Sequence, residues 1–250
     1  MAGVQSLERA FAILRALSLG AAGVTDLSDR TGLPKSTVSR LLSSLELERA
    51  VRQNDEGQYE LDEGIAELAT ALRSTRSAIE VARPHMVELM ELTGEAVGLN
   101  SFDGEFIWTL VQVDDPASSV VVRDWTNEPT PVHAVPAGLA ILAHSKRSVQ
   151  NGFLERGDFE ALTPETVTNP EQIRERLEQI RIDGYAWVFQ EFTDDINSVA
   201  APIVDSSGRT TLALHVHGPA FRFPNGQDID ELGERVAATA QRIETQLQNA

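Results

Sequence analysis

His215 and His217 stand two residues apart in a stretch that reads as a β-strand, so their imidazoles share one face of it. Joined by His133 from a loop and by Glu191 or Asp195, they offer nitrogen and carboxylate ligands for a divalent metal, or an acid and a base for hydrolysis. Paired histidines on a strand are more often hydrogen-bonded sheet residues, and their spacing selects no metal. The expectation is therefore a chain without metal or other cofactor. His85 and His144 read as helix-surface residues. A second group carries different chemistry. Lys35, Ser36, Thr37, Ser39 and Arg40 crowd the polar side of one helix, where hydroxyls and a guanidinium can bond to base edges and an ammonium to phosphate. Arg52, at the base of a hairpin, is a further phosphate candidate.

Other catalytic constellations are missing from the sequence. It has no Gly-x-Ser-x-Gly elbow, Walker loop, dinucleotide fingerprint or His-Glu-x-x-His run, so an enzyme is not expected. Without cysteine there is no disulfide, thiolate zinc site, iron–sulfur cluster or cysteine nucleophile. No run approaches the roughly 18 to 20 apolar residues of a membrane span, and the start lacks the pattern of a signal peptide. The expected compartment is the cytoplasm, with no membrane partner.

The charge balance argues at first against nucleic acid, because 38 acidic residues outweigh 21 basic ones for a net charge of −17. The excess is uneven. Residues 1–75 hold eight basic and eleven acidic side chains, and residues 76–250 hold thirteen and twenty-seven. Between Arg30 and Arg52, five cations face only Glu46 and Glu48, a small basic island on an acidic chain. Two of the 21 basic residues are Lys, a bias that salt adaptation and GC-rich coding both produce.

Periodicity places these residues on elements. Ser6–Leu19 reads as a helix with Leu7, Phe11, Leu14 and Leu17 as its apolar stripe. Thr25 is the expected N-cap of a short helix from Asp26 to Thr31, closed by Gly32. The next helix runs from Pro34 to Glu48 with Val38, Leu41, Leu42 and Leu45 inward. Strands at 50–53 and 58–61 flank an acidic hairpin tip. This order describes a helix-turn-helix followed by a wing, with the second helix presented to the major groove. The plainer alternative is a three-helix bundle with a serine-rich surface helix.

Three segments resemble one known family: Val4-Gln5-Ser6-Leu7-Glu8-Arg9-Ala10, Gly32-Leu33-Pro34-Lys35-Ser36-Thr37-Val38-Ser39-Arg40-Leu41-Leu42, and Tyr59-Glu60-Leu61. They look like the N-terminal domain of IclR-type transcriptional regulators. Further on, Pro131-Val132-His133-Ala134, Ile182-Asp183-Gly184-Tyr185-Ala186, Glu191 and Ser198-Val199-Ala200-Ala201-Pro202-Ile203 extend the resemblance over nearly the whole chain. It departs at Val135-Pro136-Ala137-Gly138-Leu139, where the family usually has a Thr-Ala-Ser-Gly-Lys-like run, and at Asp195, where a glycine is usual.

Helices are expected at 64–75 and 77–93, with the domain boundary between them, giving domains 1–75 and 76–250. Beyond it, strands are expected at 96–102, 106–113, 119–125, 185–192, 198–204 and 210–216, and helices at 135–144, 148–154, from Asn169-Pro170 to Asp183-Gly184, and 226–248. The fold class is α+β. The resemblance implies an N-terminal winged helix-turn-helix, a linker helix and a C-terminal profilin- or GAF-like effector-binding domain. It also projects an effector site onto Val122, Thr130, Pro136, Ala137, Val188, Ile196 and Ser198. A helix start after Pro136 would aim N–H groups at a carboxylate, whereas Val122, Val188 and Ile196 read equally well as sheet core, and Asp195 disfavours an anion.

The resulting expectation is a regulator that binds a double-stranded DNA operator as a homodimer or homotetramer, its affinity modulated by a small organic, carboxylic effector. Two alternatives stay open: a metal- or acid-dependent enzyme using His133, His215 and Glu191 fused to a DNA-binding module, and a DNA-binding protein whose C-terminal domain only oligomerises.

Overall fold

The structure, a computed structural model, describes residues 4–116, 122–205 and 208–249. The chain divides into two units, Met1–Arg76 and Ser77–Ala250. In the first, α1 (Gln5–Leu17), α2 (Val24–Thr31) and α3 (Lys35–Leu47) precede a hairpin of β1 (Val51–Gln53) and β2 (Tyr59–Leu61). Ile13, Ala16 and Leu17 of α1 pack with Leu27, Val38, Leu42 and Val51. The stripe expected on α1 is thus corrected. Leu7 and Phe11 are 58% and 51% exposed, because the helix turns the Ile13–Ala16 face inward, nearly half a turn away at about 100° per residue. The second helix also starts earlier than expected, at Val24, with Gly23 rather than Thr25 at its N-cap. Gly32 closes it in the left-handed region (φ +69°), its N–H donating to the Ser28 carbonyl at 2.9 Å.

The hairpin pairs Arg52 with Glu60 across the strands. Ala22 and Tyr59 exchange two backbone hydrogen bonds of 3.0 Å, which stitch the wing to the α1–α2 connection. Asn54 Oδ1 accepts from the N–H groups of Glu56 and Gln58 and so fixes the tip.

One helix, α4 (Glu63–Thr93), replaces the two expected, since Thr75-Arg76-Ser77 contains neither Gly nor Pro to break it. Its later part belongs to the second unit. There β3 (Ala96–Phe102), β4 (Phe106–Val113), β5 (Pro129–Pro131), β6 (Ala186–Phe189), β7 (Ile196–Val204) and β8 (Thr210–Pro219) form one antiparallel sheet in the order β5-β4-β3-β8-β7-β6. Between β5 and β6 lie α5 (Pro136–His144), α6 (Arg147–Leu154) and α7 (Pro170–Asp183), and α8 (Ile229–Gln248) follows β8. The strand expected at 119–125 is not formed over 122–125, and 119–121 lie outside the described residues. The edge position is taken by β5 instead.

Alternation along the strands sorts the side chains into two apolar layers. Ile107, Ala186, Val188, Ala200 and Ala213 pack against α5, α6 and α7. Val97, Leu99, Val199, Ala201, Ile203, Leu214 and Val216 pack against α4 and α8. All eight residues from Pro136 to Ala143 are buried, which explains a helix made so largely of small and apolar side chains. Gly138 is required there because a Cβ would sit 2.2 Å from the Val132 carbonyl oxygen. The α7 start is capped as its sequence predicts: Asn169 Oδ1 accepts from Glu171 N at 2.9 Å and Gln172 N at 3.2 Å. Asn169→Ala should lower stability by about 1 kcal/mol. Urea denaturation would show this as a lower midpoint with an unchanged slope.

Candidate nucleic-acid interface and ligand cavity

Helix α3 buries Val38 and Leu42 and leaves Lys35, Ser36, Ser39 and Arg40 exposed, with Thr37 half-buried. The island's cations are not equivalent. Arg30 donates to the Ala16 carbonyl, Arg49 pairs with Glu63 at 2.6 Å, and Arg52 pairs with Glu60 at 2.7 Å. Among the described residues, the Lys35 and Arg40 side chains make no ion pair or hydrogen bond, so Arg40 is paired with neither Glu46 nor Asp29. The helix therefore presents two uncommitted positive charges among short hydroxyl side chains.

The second unit holds a cavity of ≈ 50 Å³ between the start of α5 and the sheet face beneath it. Val135, Pro136 and Ala137 form one wall, with Val188, Ile196 and Ser198 from β6 and β7 facing them. Trp125 and Phe192, in edge contact at 4.9 Å, form an aromatic side. Pro136 has no N–H, and the N–H groups of Ala137 and Gly138 begin the helix without intrahelical acceptors.

A chain of four polar side chains runs along the sheet face of this cavity. Asn100 Nδ2 donates to Thr109 Oγ1 at 3.0 Å, and Asn100 Oδ1 meets His215 Nδ1. His215 Nε2 and His217 Nδ1 are 2.9 Å apart, and His217 Nε2, buried, has no partner among the described residues. Gly98 makes room for the assembly: it lies opposite His215 in the β3–β8 register, and a Cβ there would stand 2.1 Å from the imidazole Cε1. Burial pushes His217 down to about 4, only partly opposed by Asp124. Burial, and then the neighbouring imidazole, holds His215 well below the ordinary histidine value.

Comparison with known proteins places both units. Residues 70–245 match the bacterial transcriptional regulator IclR C-terminal domain and residues 6–55 the IclR helix-turn-helix domain. The chain belongs to the IclR family. It is 31% identical to the HTH-type transcriptional repressor AllR of Escherichia coli K12 over 248 residues, covering 98% of this chain and 91% of AllR. An IclR family transcriptional regulator from Brucella abortus has a similar structure, with 28% identity, a TM-score of 0.56, and coverage of 98% of this chain and 96% of that one. An IclR homologue from Microbacterium hydrocarbonoxydans, complexed with 4-hydroxybenzoate, shares the fold at 24% identity and a TM-score of 0.64, covering 98% and 100%. This member of the IclR family is thus a transcriptional regulator with a helix-turn-helix DNA-binding domain and a C-terminal effector-binding domain.

Six positions projected as its effector site, Thr130, Pro136, Ala137, Val188, Ile196 and Ser198, line one cavity; Val122 is buried but does not line it. Sequence reasoning missed Asn100, Ile107 and Thr109 on β3 and β4, as well as Trp125, Val135 and Phe192. The signal for Asn100 was a polar residue of the same parity as Gly98 in a largely apolar strand. His215 and His217 share one face of β8, as their spacing predicts, but serve the cavity rather than a metal cluster. The metal grouping with His133, Glu191 or Asp195 is not formed, and no cluster of three potential ligands occurs among the described residues. His133 Nε2 donates to the Glu160 carbonyl at 3.0 Å, while Glu191 is clamped by Arg176 at 2.7 and 2.8 Å. His85 is buried rather than on the surface, and His144 is half-buried, its Nδ1 donating to the Ala140 carbonyl.

Both cavity imidazoles are neutral in the folded protein and regain ordinary basicity on unfolding, so the unfolded chain binds more protons in between. Their contribution to stability is complete above pH 6.5 and falls as the pH drops toward about 4. For His217 the loss is on the order of 3 kcal/mol. Urea unfolding at pH 7.5 and 5.0 should show the decline, and His217→Ser should make it shallower, leaving the part due to His215.

Proposed function

We propose that this regulator binds a two-fold operator through α3 and that a small organic acid in the C-terminal cavity alters its affinity for that operator. Ser36, Thr37, Ser39 and Arg40 face base edges in the major groove, with Lys35 on phosphate. Arg52 reaches a phosphate by exchanging its Glu60 partner for it. The reading is carried by the cavity itself, where the unpaired N–H groups of α5 and an apolar, partly aromatic wall suit a compact carboxylate. The 4-hydroxybenzoate held by the Microbacterium homologue supports this ligand class. A homodimer or homotetramer acting in the cytoplasm supplies the paired recognition helices, and the exposed Leu7 and Phe11 of α1, with Val4 just before it, support self-association. The acid acts by preferring one of two arrangements of the assembly, so that binding of acid and of operator are reciprocally linked.

The test is binding to the protein's own upstream DNA at several salt concentrations, with and without a panel of aliphatic and aromatic acids. One acid should shift the affinity. If none does, the C-terminal unit serves assembly alone. If no DNA binds specifically, the reading of α3 falls. Within that assay, Arg40→Ala should cost about 1 to 3 kcal/mol of discrimination against mismatched sites. Lys35→Ala should weaken all DNA alike and reduce the salt slope by about 1.

A further inference from the structure

We propose that the ligand of this cavity donates a hydrogen bond, from a hydroxyl or N–H group, to His217 Nε2. The inference rests on the cavity being the ligand site and adds a second polar group to the carboxylate. It follows from donor and acceptor roles along the chain of side chains. With its Nδ2 committed to Thr109, Asn100 turns its carbonyl oxygen to His215, and that oxygen can only accept. His215 Nδ1 therefore carries the proton. A neutral imidazole has one N–H, so His215 Nε2 is a lone pair and receives the proton of His217 Nδ1. His217 Nε2 is left as a buried acceptor (3% exposed), and it has no partner among the described residues.

The surroundings restrict what can meet it. Among the described residues, no Lys, Arg, Asp or Glu lines the cavity, and the Thr130 hydroxyl is spent on the Ile107 carbonyl. A buried acceptor left open in such a wall discriminates strongly between a ligand that carries a donor and one that lacks it. The rings of Trp125 and Phe192 favour a flat body on which that donor is a phenolic hydroxyl or a ring N–H.

The experiment uses the full-length protein labelled with 15N-histidine and 15N-tryptophan, titrated with phenol, which has a donor, and anisole, which has the same ring without one. Before addition, both cavity imidazoles should be Nδ1–H tautomers at pH 7.5, and a proton on His217 Nε2 would overturn the proposal. Phenol should move the His217 Nε2 resonance and bind roughly ten-fold more tightly than anisole. His217→Phe should bring the two to equal affinity. The Trp125 indole signal separates the two levels of the argument. If both compounds move it equally and Nε2 responds to neither, the cavity remains a ligand site and the donor rule is wrong. If neither compound moves it, the ligand-site reading and the donor rule fall together.

Discussion

The pairing of β8 between β3 and β7 is the constraint on which the C-terminal unit depends. Hydrogen bonding on both edges fixes which residues of β8 face which way: Ala213, His215 and His217 toward α5, Leu214 and Val216 toward α4 and α8. A slip of one residue would drive two imidazoles into the layer around Met86 and Val236 and bring leucine and valine to the cavity. The register also places His217 opposite Ser198 and His215 opposite Ala200, so the floor of the cavity is set by backbone pairing before any side chain chooses a rotamer.

Much of this was legible where the determinant is local. The Asn169 cap, the glycine stop at Gly32, the inward Val38–Leu42 side of α3 and the shared face of His215 and His217 depend on residues within a turn or two of each other. What sequence left hidden depends on distant partners. The face of α1 is decided by α2 and α3, so Leu7 and Phe11 looked like core and are exposed. Asn100 becomes meaningful only once β3 is set beside β4 and β8, which bring Thr109 and His215 to it. The metal reading failed for the same reason. His133 and Glu191 each have a nearer partner, Glu160 and Arg176, that no spacing rule foretells.

Acidity and DNA recognition coexist through local pairing rather than net charge. In the N-terminal unit, Glu60 and Glu63 neutralise Arg52 and Arg49, while Lys35 and Arg40 have no ion pair among the described residues and lie on the helix that carries the hydroxyls. Because screening at physiological salt acts over about 8 Å, a face two charges strong retains its own field within a chain of net charge −17. The buried ion pairs of the C-terminal unit are structural by the same logic. Arg176 holds Glu191 and the Trp187 carbonyl together, which pins the segment between β6 and β7 that carries Phe192 to the cavity.

The close approach of Gly98 to His215 imposes an order on how such a site can arise. An imidazole introduced at 215 before glycine at 98 meets a methyl group 2.1 Å from its Cε1, and a packed sheet has little room to yield. Glycine at 98 followed by histidine at 215 passes instead through a small void, a milder defect that the ring then fills. Two residues 117 positions apart thus form a single mutational unit: glycine at 98 admits the histidine at 215, and with the histidine in place any side chain at 98 must displace its ring.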